Sequence, residues 1–429
     1  MISRIEAYNY RCFARLAVDI GRYRVLAGAN GSGKTTLLDI PMLLGDLVRA
    51  ERVGDAFLRP NPRHPSPRAT SFGELVYGGR GADIGFTLEM RLPSDIESTL
   101  AGLDTASSRR PPPTHLRYEV RLEVFTHGLE VVEEYLYLFP PEALPSPGVP
   151  LQGRDAGGRR GAAAKWRPVI RRRQGPATEI FAETTTRSPL PADLRIEPSQ
   201  LALASVPADP GLFPAARWFI GLLRGQAVNY DPNWAALRRP AVPGDPSELL
   251  PDGRNTPWLV LALAQDDPDR FRLWIDHVRT ALPQVADISV REREEDHHAY
   301  FVVDYAGGYR VTSSGLSDGT LRILALSLLP YLPASALPDL LVTEEPETGI
   351  HPQAIETVVQ SLSSVLDSQV WVSTHSPIVL AKTTLSDVLI ARLDDSGEAD
   401  VIAADQHPRL RDWQGGLDLG SLLAAGVLS

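Results

Sequence analysis

The sequence predicts an α/β protein with a mostly parallel sheet, an antiparallel β subdomain and an inserted α+β domain. Three observations support this fold class. The strand-like segment Arg24–Ala27 runs into the glycine-rich stretch GANGSGKTT, and a helical pattern follows it. The segments LLVTE and VWVST are apolar throughout, as strands covered on both faces of a parallel sheet are. Residues 82–139 contain alternating segments typical of antiparallel strands.

The elements follow in chain order. Strands are predicted at Ile2–Tyr10, Leu16–Ile20 and Arg24–Ala27, then a helix at Lys34–Val48, a loop-rich stretch at 50–80 and strands at 82–92, 116–125 and 129–139. Helices are predicted at 213–225, 257–265 and 268–281, and strands at 287–293, 299–305 and 309–312. A helix at 320–331, the strand in DLLVTEEPE, a helix at 352–367 and the strand in VWVSTHSP complete the pattern.

These patterns divide the chain into four predicted parts. They are an N-terminal lobe at 1–92, an inserted α+β and helical domain at 93–285, a C-terminal lobe at 286–400 and a tail at 401–429. A mobile basic loop is expected at about 140–175. The tail ends in the apolar stretch GGLDLGSLLAAGVLS, which either packs on its own domain or docks a partner.

Composition excludes several classes of protein. The 429 residues are 43% hydrophobic and 22% charged, which is ordinary for a globular chain of two or three domains. No apolar run approaches the ~20 residues of a membrane span, and no secretory signal is recognisable. Cys12 is the single cysteine, so we expect no disulfide and a cytoplasmic location. The net charge of −10 confines any nucleic-acid contact to a local patch.

The stretch from Gly28 to Thr35 fits the phosphate-loop pattern G-x-x-x-x-G-K-[ST] between a strand and a helix. Glycines allow backbone N–H groups to surround phosphate oxygens, and the helix N-terminus adds a positive end. In this pattern Lys34 reaches the β- and γ-phosphates and Thr35 ligates Mg²⁺. The predicted nucleotide-binding residues are Gly28, Asn30, Gly31, Ser32, Gly33, Lys34, Thr35 and Thr36.

Two carboxylates end the apolar strand LLVTE. At the carboxyl edge of a parallel sheet beside a phosphate loop, the first carboxylate, Glu344, can hold Mg²⁺, usually through water. The second, Glu345, can polarise an attacking water. Without the phosphate loop, these residues would be an ordinary acidic strand end.

Four motifs in this order resemble the ABC-type ATPases of the SMC/RecF/OLD kind. They are GANGSGKTT, SSGLSDGTLR, LLVTEEPETGIHP and VWVSTHSP. The resemblance covers about 1–50 and 245–390, so it barely reaches the insert. It implies an ABC-type P-loop ATPase head that binds and hydrolyses ATP with Mg²⁺. It also implies self-association as a homodimer or a higher even oligomer, with ATP between the phosphate loop of one protomer and the signature motif of the other.

The resemblance also implies roles for individual residues. Ser317, Asp318 and Gly319 match the signature motif that acts in trans, and Glu344 matches the metal-site acid. Glu345 matches the catalytic glutamate and His375 the switch histidine, while Glu347–His351 lie where the family has its D-loop. Arg11 lies in the region that approaches the nucleotide. No glutamine precedes Gln152, so Glu74 or water would replace the family's Q-loop glutamine.

One segment of this acidic chain is densely basic. Phosphate-backbone contacts with DNA or RNA are one interpretation, and a solvated loop is the other. The candidate residues are Arg159, Arg160, Lys165, Arg167, Arg171, Arg172 and Arg173. The adjacent His297 and His298 would point to opposite faces of a strand, so we interpret them as a hairpin tip rather than a metal site.

The resemblance leaves three functions open. We expect no coiled-coil arm, because no long heptad run occurs, and no TOPRIM nuclease domain, because only about 50 residues follow His375. We therefore expect an ATPase whose nucleotide-gated dimer regulates a separately encoded nuclease or toxin effector in prokaryotic antiphage defence. One alternative is a RecF-like DNA repair or recombination ATPase that binds DNA directly. The other is a non-catalytic, ATP-locked scaffold.

Overall fold

The computed structural model describes residues 1–61, 66–79, 81–104, 111–143, 166–173, 178–184, 195–394, 397–407, 409–410 and 418–426. The chain forms two compact units. The first consists of Met1–Gly21, Asn30–Ala227 and Arg392–Val401. The second consists of Arg22–Ala29, Val228–Ala391 and Ile402–Ser429.

The described strands and helices have the following bounds. The strands are β1 (Ile2–Tyr10), β2 (Phe13–Asp19), β3 (Tyr23–Gly28), β4 (Asp83–Arg91), β5 (His115–Phe125), β6 (Gly128–Phe139), β7 (Arg167–Arg172), β8 (Thr178–Ile180), β9 (Ala227–Asn229), β10 (Val285–Glu292), β11 (Ala299–Tyr305), β12 (Arg310–Thr312), β13 (Leu340–Glu344), β14 (Gln369–Thr374), β15 (Val388–Leu393) and β16 (Ala399–Ala403). The α-helices are α1 (Lys34–Arg49), α2 (Asp55–Leu58), α3 (Ser94–Asp104), α4 (Pro214–Gly221), α5 (Trp234–Leu237), α6 (Thr256–Asp266), α7 (Pro268–Ala281), α8 (Asp318–Leu328), α9 (Pro352–Ser363), α10 (Pro377–Ala381) and α11 (Leu419–Ala424).

The first unit contains a seven-stranded sheet in the order β2-β1-β4-β5-β6-β7-β8. All of its strand pairs are antiparallel, as the alternating segments predicted. One face is apolar and includes Ile5, Phe86 and Leu136, all almost fully buried. On the opposite face, Arg4, Glu89 and Arg117 occupy neighbouring positions on β1, β4 and β5.

This sheet differs from the sequence prediction in two places. β4 pairs with β5 from Asp83 opposite Glu123 to Arg91 opposite His115, so the expected boundary between 92 and 93 divides one continuous sheet. Antiparallel pairing therefore joins the strands that were predicted on either side of that boundary. β7 also lies within the stretch expected to be a mobile loop at 140–175, whose residues 144–165 lie outside the described part of the chain.

A six-stranded sheet has the order β16-β15-β3-β14-β13-β9, and its strands β3, β14 and β13 lie wholly in the second unit. The pairs β15/β3, β3/β14 and β14/β13 are parallel, as the uniformly apolar strands predicted. Helices α8 and α9 bury apolar faces in the same core, with Leu324 and Val358 each 1% exposed. The mixed α/β fold predicted from the sequence is therefore present.

Two smaller features answer open questions from the sequence. A three-stranded sheet has the order β10-β11-β12, and His297 and His298 lie in the turn joining its first two strands. The described part of the tail packs on its own unit. There Leu419 of α11 is buried, and a Cβ at Gly420 would lie 2.0 Å from the carbonyl oxygen of Pro377. Among the described residues, no helix is both long and apolar enough to cross a membrane.

Candidate functional site

The glycine-rich loop connects β3 to α1, and its backbone requires glycine at two positions. Gly31 has a φ of 81° and Gly33 a φ of 92°, values that residues with a Cβ rarely adopt. A Cβ at Gly33 would lie 2.7 Å from Cζ of Phe13 and 2.9 Å from Sγ of Cys12. The turn between β1 and β2 therefore packs directly against the loop and limits its conformation.

Two of the predicted nucleotide-site residues lie within the first unit near this turn. Arg11 adopts a φ of 53°, and its backbone N–H donates to the carbonyl oxygen of Leu75 at 2.8 Å. Its guanidinium donates to the carbonyl oxygen of Arg68. Glu74, the candidate replacement for the Q-loop glutamine, is exposed. Its carboxylate accepts hydrogen bonds from the side chain and backbone N–H of Thr70, which lower the pKa of Glu74.

The carboxyl edge of the parallel sheet brings the remaining motifs together in the second unit. Glu344 lies opposite Ser373, and Thr374 lies opposite Ala27. Neighbouring strands are about 4.8 Å apart, so the strand entering the phosphate loop and the strand ending in Glu344 are separated by about 10 Å. The first acidic residue and the start of the phosphate loop thus share one edge, as predicted from motif order.

Glu345 and His375 form a pair at this edge. Nε2 of His375 lies 3.3 Å from Oε1 of Glu345, and the Thr348 hydroxyl donates to Oε2 of Glu345 at 3.3 Å. The backbone N–H of Glu345 donates to the carbonyl oxygen of Ser373 at 2.9 Å. Glu345 has a φ of 45°, an uncommon conformation for a residue with a side chain. This geometry holds a half-exposed carboxylate where it could accept a proton from water.

The signature residues lie at the N-terminus of α8. The Ser317 hydroxyl oxygen accepts a hydrogen bond from the N–H of Thr320 at 3.1 Å, so Ser317 caps the helix. Ser317 and Asp318 are exposed, and Asp318 forms an ion pair with Arg238 at 2.6 Å. A helix N-terminus of this kind favours an anion. Capping and phosphate recognition are therefore compatible roles for Ser317.

The loop that follows Glu345 packs against the signature helix. A Cβ at Gly319 would lie only 2.8 Å from the carbonyl oxygen of Gly349. The guanidinium of Arg322 donates to the carbonyl oxygen of Thr348 and lies 4.2 Å from the centre of the Trp234 ring. Arg322 was not among the site residues predicted from the sequence. Its position as a single basic residue within the apolar helix sequence LRILAL was the feature that could have indicated it.

A second contact that was not predicted from the sequence links the loop after Glu345 to β14. The Thr374 hydroxyl donates to Oε1 of Glu347 and accepts the N–H of Ser376, so it connects the acidic loop to the turn carrying His375. The STHSP motif contained this residue, but only the fold brings it next to Glu347. Sequence spacing alone gives no reason to pair two residues 27 positions apart.

The structure describes only part of the predicted basic segment, and it contradicts the prediction for one residue, Arg172. Arg172 is 3% exposed and donates to the carbonyl oxygens of Gln200 and Glu197, so it does not face a nucleic acid. Alternation along β7 turns this side chain inward. Arg171 is half-buried and pairs with Glu179 at 3.2 Å, whereas Arg173 is exposed. Arg167 is half-buried at the start of β7, and Arg159, Arg160 and Lys165 lie outside the described residues.

The candidate metal ligands suit Mg²⁺ better than a metal ion whose ligands all come from the protein. No group of three or more His, Cys, Asp or Glu side chains suited to a metal occurs among the described residues. Mg²⁺ normally keeps several waters and takes one or two protein oxygens together with substrate phosphates. The exposed Thr35 hydroxyl and the partly exposed Glu344 carboxylate are donors of this type.

Comparisons with known proteins agree with this fold. The family model described as "AAA domain, putative AbiEii toxin, Type IV TA system" matches residues 25–381. No curated protein matches the sequence significantly. An SMC head bound to the C-terminal winged-helix domain of ScpA has a TM-score of 0.50 and 10% identity, with 94% of this chain and 97% of that chain covered.

Two further SMC heads are similar at lower scores. The head from Pyrococcus furiosus, bound to the C-terminal domain of ScpA, has a TM-score of 0.46 and 11% identity, with 94% of this chain and 95% of that chain covered. The head from Thermotoga maritima has a TM-score of 0.38 and 12% identity, with coverage of 94% and 98%. The chain therefore belongs to this AAA family and has the fold of an SMC/RecF-like ABC-type P-loop ATPase.

Proposed function

We propose that this chain is a Mg²⁺-dependent ATPase that works as a nucleotide-gated homodimer. The observation that carries the proposal is the Glu345–His375 pair at the sheet edge from which the phosphate loop departs. Lys34 and the loop N–H groups would bind the phosphates. Glu345 would accept a proton from the attacking water, and His375 would contact the γ-phosphate. Bound Mg²⁺, held by Thr35 and Glu344, would neutralise phosphate charge.

Dimerisation completes the proposed site. The exposed N-terminus of α8 has the properties of a phosphate-binding element. A symmetric dimer would present Ser317 of each copy to the ATP held by the other, producing two equivalent composite sites. ATP would favour the closed dimer because both copies contact it, and hydrolysis would release it.

We further propose that this cycle controls a separately encoded nuclease or toxin effector in antiphage defence. The family description refers to a toxin of a type IV toxin–antitoxin system, which supports a two-component role. An SMC head with the same fold is bound to the C-winged helix domain of ScpA. Both observations favour an ATPase that transmits its nucleotide state to a partner.

Hydrolysis by purified protein tests the enzymatic part. Phosphate release should require Mg²⁺ and should be lost in Lys34→Ala, while Lys382→Ala, which removes an exposed lysine paired with Glu356, should behave like the wild type. Light scattering should detect dimers of Glu345→Gln with ATP and monomers without it. Absence of hydrolysis in the wild type, or equal rates in Lys34→Ala, would exclude the ATPase.

The regulatory part requires the complex from the host. Native mass spectrometry of tagged Glu345→Gln and Lys34→Ala chains should show an effector whose occupancy differs between the two nucleotide states. Equal occupancy in both would contradict control by nucleotide. A chain that carries no partner in either state would contradict the two-component role.

A further inference from the structure

Two tyrosines form a stacked pair at the turn between β11 and β12. The rings of Tyr305 and Tyr309 are nearly parallel, with an angle of 7° and a distance of 4.7 Å between their centres. The backbone N–H of Tyr305 donates to the carbonyl oxygen of Tyr309 at 2.9 Å, so the two residues are cross-strand neighbours. Tyr309 is 56% exposed. We call this pair the tyrosine platform.

The turn holds the tyrosine platform in one orientation. A Cβ at Gly307 would lie 3.2 Å from two ring carbons of Tyr309, so the ring packs closely over this glycine. Gly308 has a φ of 77°, and its N–H donates to the carbonyl oxygen of Tyr305 at 2.9 Å. An aromatic ring held in place in this way loses little conformational entropy when it binds a ligand.

The tyrosine platform lies beside the signature residues. The hydroxyl group of Tyr305 approaches the side chain of Thr320 in the first turn of α8. Oγ1 of Thr320 is 2.9 Å from Oγ of Ser317. One threonine side chain therefore separates the platform from the serine at the helix N-terminus. A ligand with phosphate at one end and a flat ring at the other matches this arrangement.

We propose that Tyr309, supported by Tyr305, stacks on the base of the nucleotide held by the phosphate loop of a second copy. Stacking would occur when Ser317 of this copy meets the terminal phosphate of that nucleotide. The proposal rests on the nucleotide-gated dimer proposed above. Every base has a π face, so stacking adds affinity without selecting one base. The platform would therefore distinguish nucleotides from inorganic triphosphate.

ATP-driven dimerisation in the Glu345→Gln background measures this contribution. Tyr309→Ala should raise the ATP concentration for half-maximal dimerisation by about tenfold or more, since stacking on one base is typically worth this much. Tyr309→Phe keeps the ring and should match the parent. Phe125→Ala removes another exposed aromatic residue and should also match it. Dimerisation driven by tripolyphosphate should be unchanged by Tyr309→Ala.

A mixing experiment determines which copy supplies the ring. One chain carries Ser317→Arg and offers only its phosphate loop. The other carries Lys34→Ala and offers only its signature loop, so each mixed dimer has a single composite site. Energy transfer between fluorophores on the two chains reports dimer formation. Tyr309→Ala should weaken the dimer when placed on the Lys34→Ala chain and should have no effect on the Ser317→Arg chain.

The outcomes separate the two proposals. If the parent stays monomeric with ATP, the nucleotide-gated dimer fails, and the tyrosine platform fails with it. If the parent dimerises but Tyr309→Ala does so equally well, only the platform is overturned. Weakening confined to the Ser317→Arg chain would also overturn it, because the ring would then act on nucleotide bound by its own copy.

Discussion

Nε2 of His375 lies 3.3 Å from Oε1 of Glu345, although the two residues are 30 positions apart in the sequence. Adjacent parallel strands β13 and β14 bring the two residues to one edge of the sheet. The backbone hydrogen bond from Glu345 to Ser373 and the unusual φ of Glu345 fix the position of the carboxylate. This relationship makes Glu345 the strongest candidate for activating water.

Glu345→Gln should separate nucleotide binding from hydrolysis. The amide keeps the size of the side chain but cannot accept a proton from water, so kcat should fall by about 10²–10⁴-fold. Binding of a fluorescent ATP analogue should be retained. Glu356→Gln, at an exposed carboxylate paired with Lys382, is the matched control and should leave kcat unchanged. Equal kcat values for Glu345→Gln and the wild type would exclude Glu345 as the base.

Gly33→Ala should abolish tight nucleotide binding while leaving most of the fold intact. Alanine at position 33 would have to adopt a φ of 92°, and its Cβ would press against Phe13. The loop would therefore have to move. We expect an affinity loss of at least about tenfold, as the left-handed conformation alone costs roughly 1–2 kcal/mol. Equilibrium binding measures the effect.

Gly221→Ala provides the control for this substitution. Gly221 has helical angles, and apart from its chain neighbours and its own helix backbone no atom lies within 4 Å of an added Cβ. This variant should bind nucleotide normally and should gain up to about 1 kcal/mol of stability. A Gly33→Ala protein with wild-type affinity would show that the loop tolerates a side chain.

Arg117→Met should destabilise the first unit strongly. Arg117 is fully buried and pairs with Glu6 at 3.0 Å, and also with Glu89 and Glu119. Its loss leaves buried carboxylates without their main counter-charge, which typically costs about 3–5 kcal/mol. Urea unfolding at neutral pH measures the change in the free energy of unfolding.

Arg121→Met tests whether burial causes this effect. Arg121 lies on the same strand and pairs with Asp83 and Glu133, but it is partly exposed. Surface ion pairs contribute about 1 kcal/mol or less. The Arg117→Met protein should also recover stability at acid pH, because burial already raises the pKa values of Glu89 and Glu119. Similar losses for both variants would contradict the explanation.

Glu183 should make stability depend on pH. Burial raises the pKa of Glu183 to about 7, although its carboxylate accepts the N–H groups of Ala215 and Ala216 at the start of α4. Between its unfolded pKa of about 4.3 and about 7, the folded state binds more protons, so stability falls as pH rises through this window. Below this pH window the Glu183 carboxyl group is protonated in both the folded and the unfolded state, so the cost of burying its charge disappears.

The slope of the unfolding free energy against pH provides the measurement. Glu183→Gln removes the titrating proton and should flatten the slope between about pH 4.3 and 7. The exposed Glu179, which pairs with Arg171, serves as the control position. Glu179→Gln should leave the slope unchanged. An equally steep profile in Glu183→Gln would assign the dependence to other groups.

The parallel core, most element positions and the phosphate-loop motif could be predicted from the sequence alone. These features are local, because apolar runs, glycine positions and helix caps act over a few neighbouring residues. Ser317 as the cap of α8 is an example, since its acceptor and the N–H of Thr320 are three residues apart. The antiparallel segments were likewise visible from their alternation.

The contacts between residues far apart in the sequence became visible in the folded chain. Folding joined the N-terminal strands and the supposed insert into one sheet, because pairing across strand edges depends on long-range register. It turned Arg172 inward, placed Arg322 on the carbonyl oxygen of Thr348 and stacked Tyr309 on Tyr305. The physical reason is that burial and side-chain contacts arise from packing between elements, which composition and periodicity along one segment do not specify.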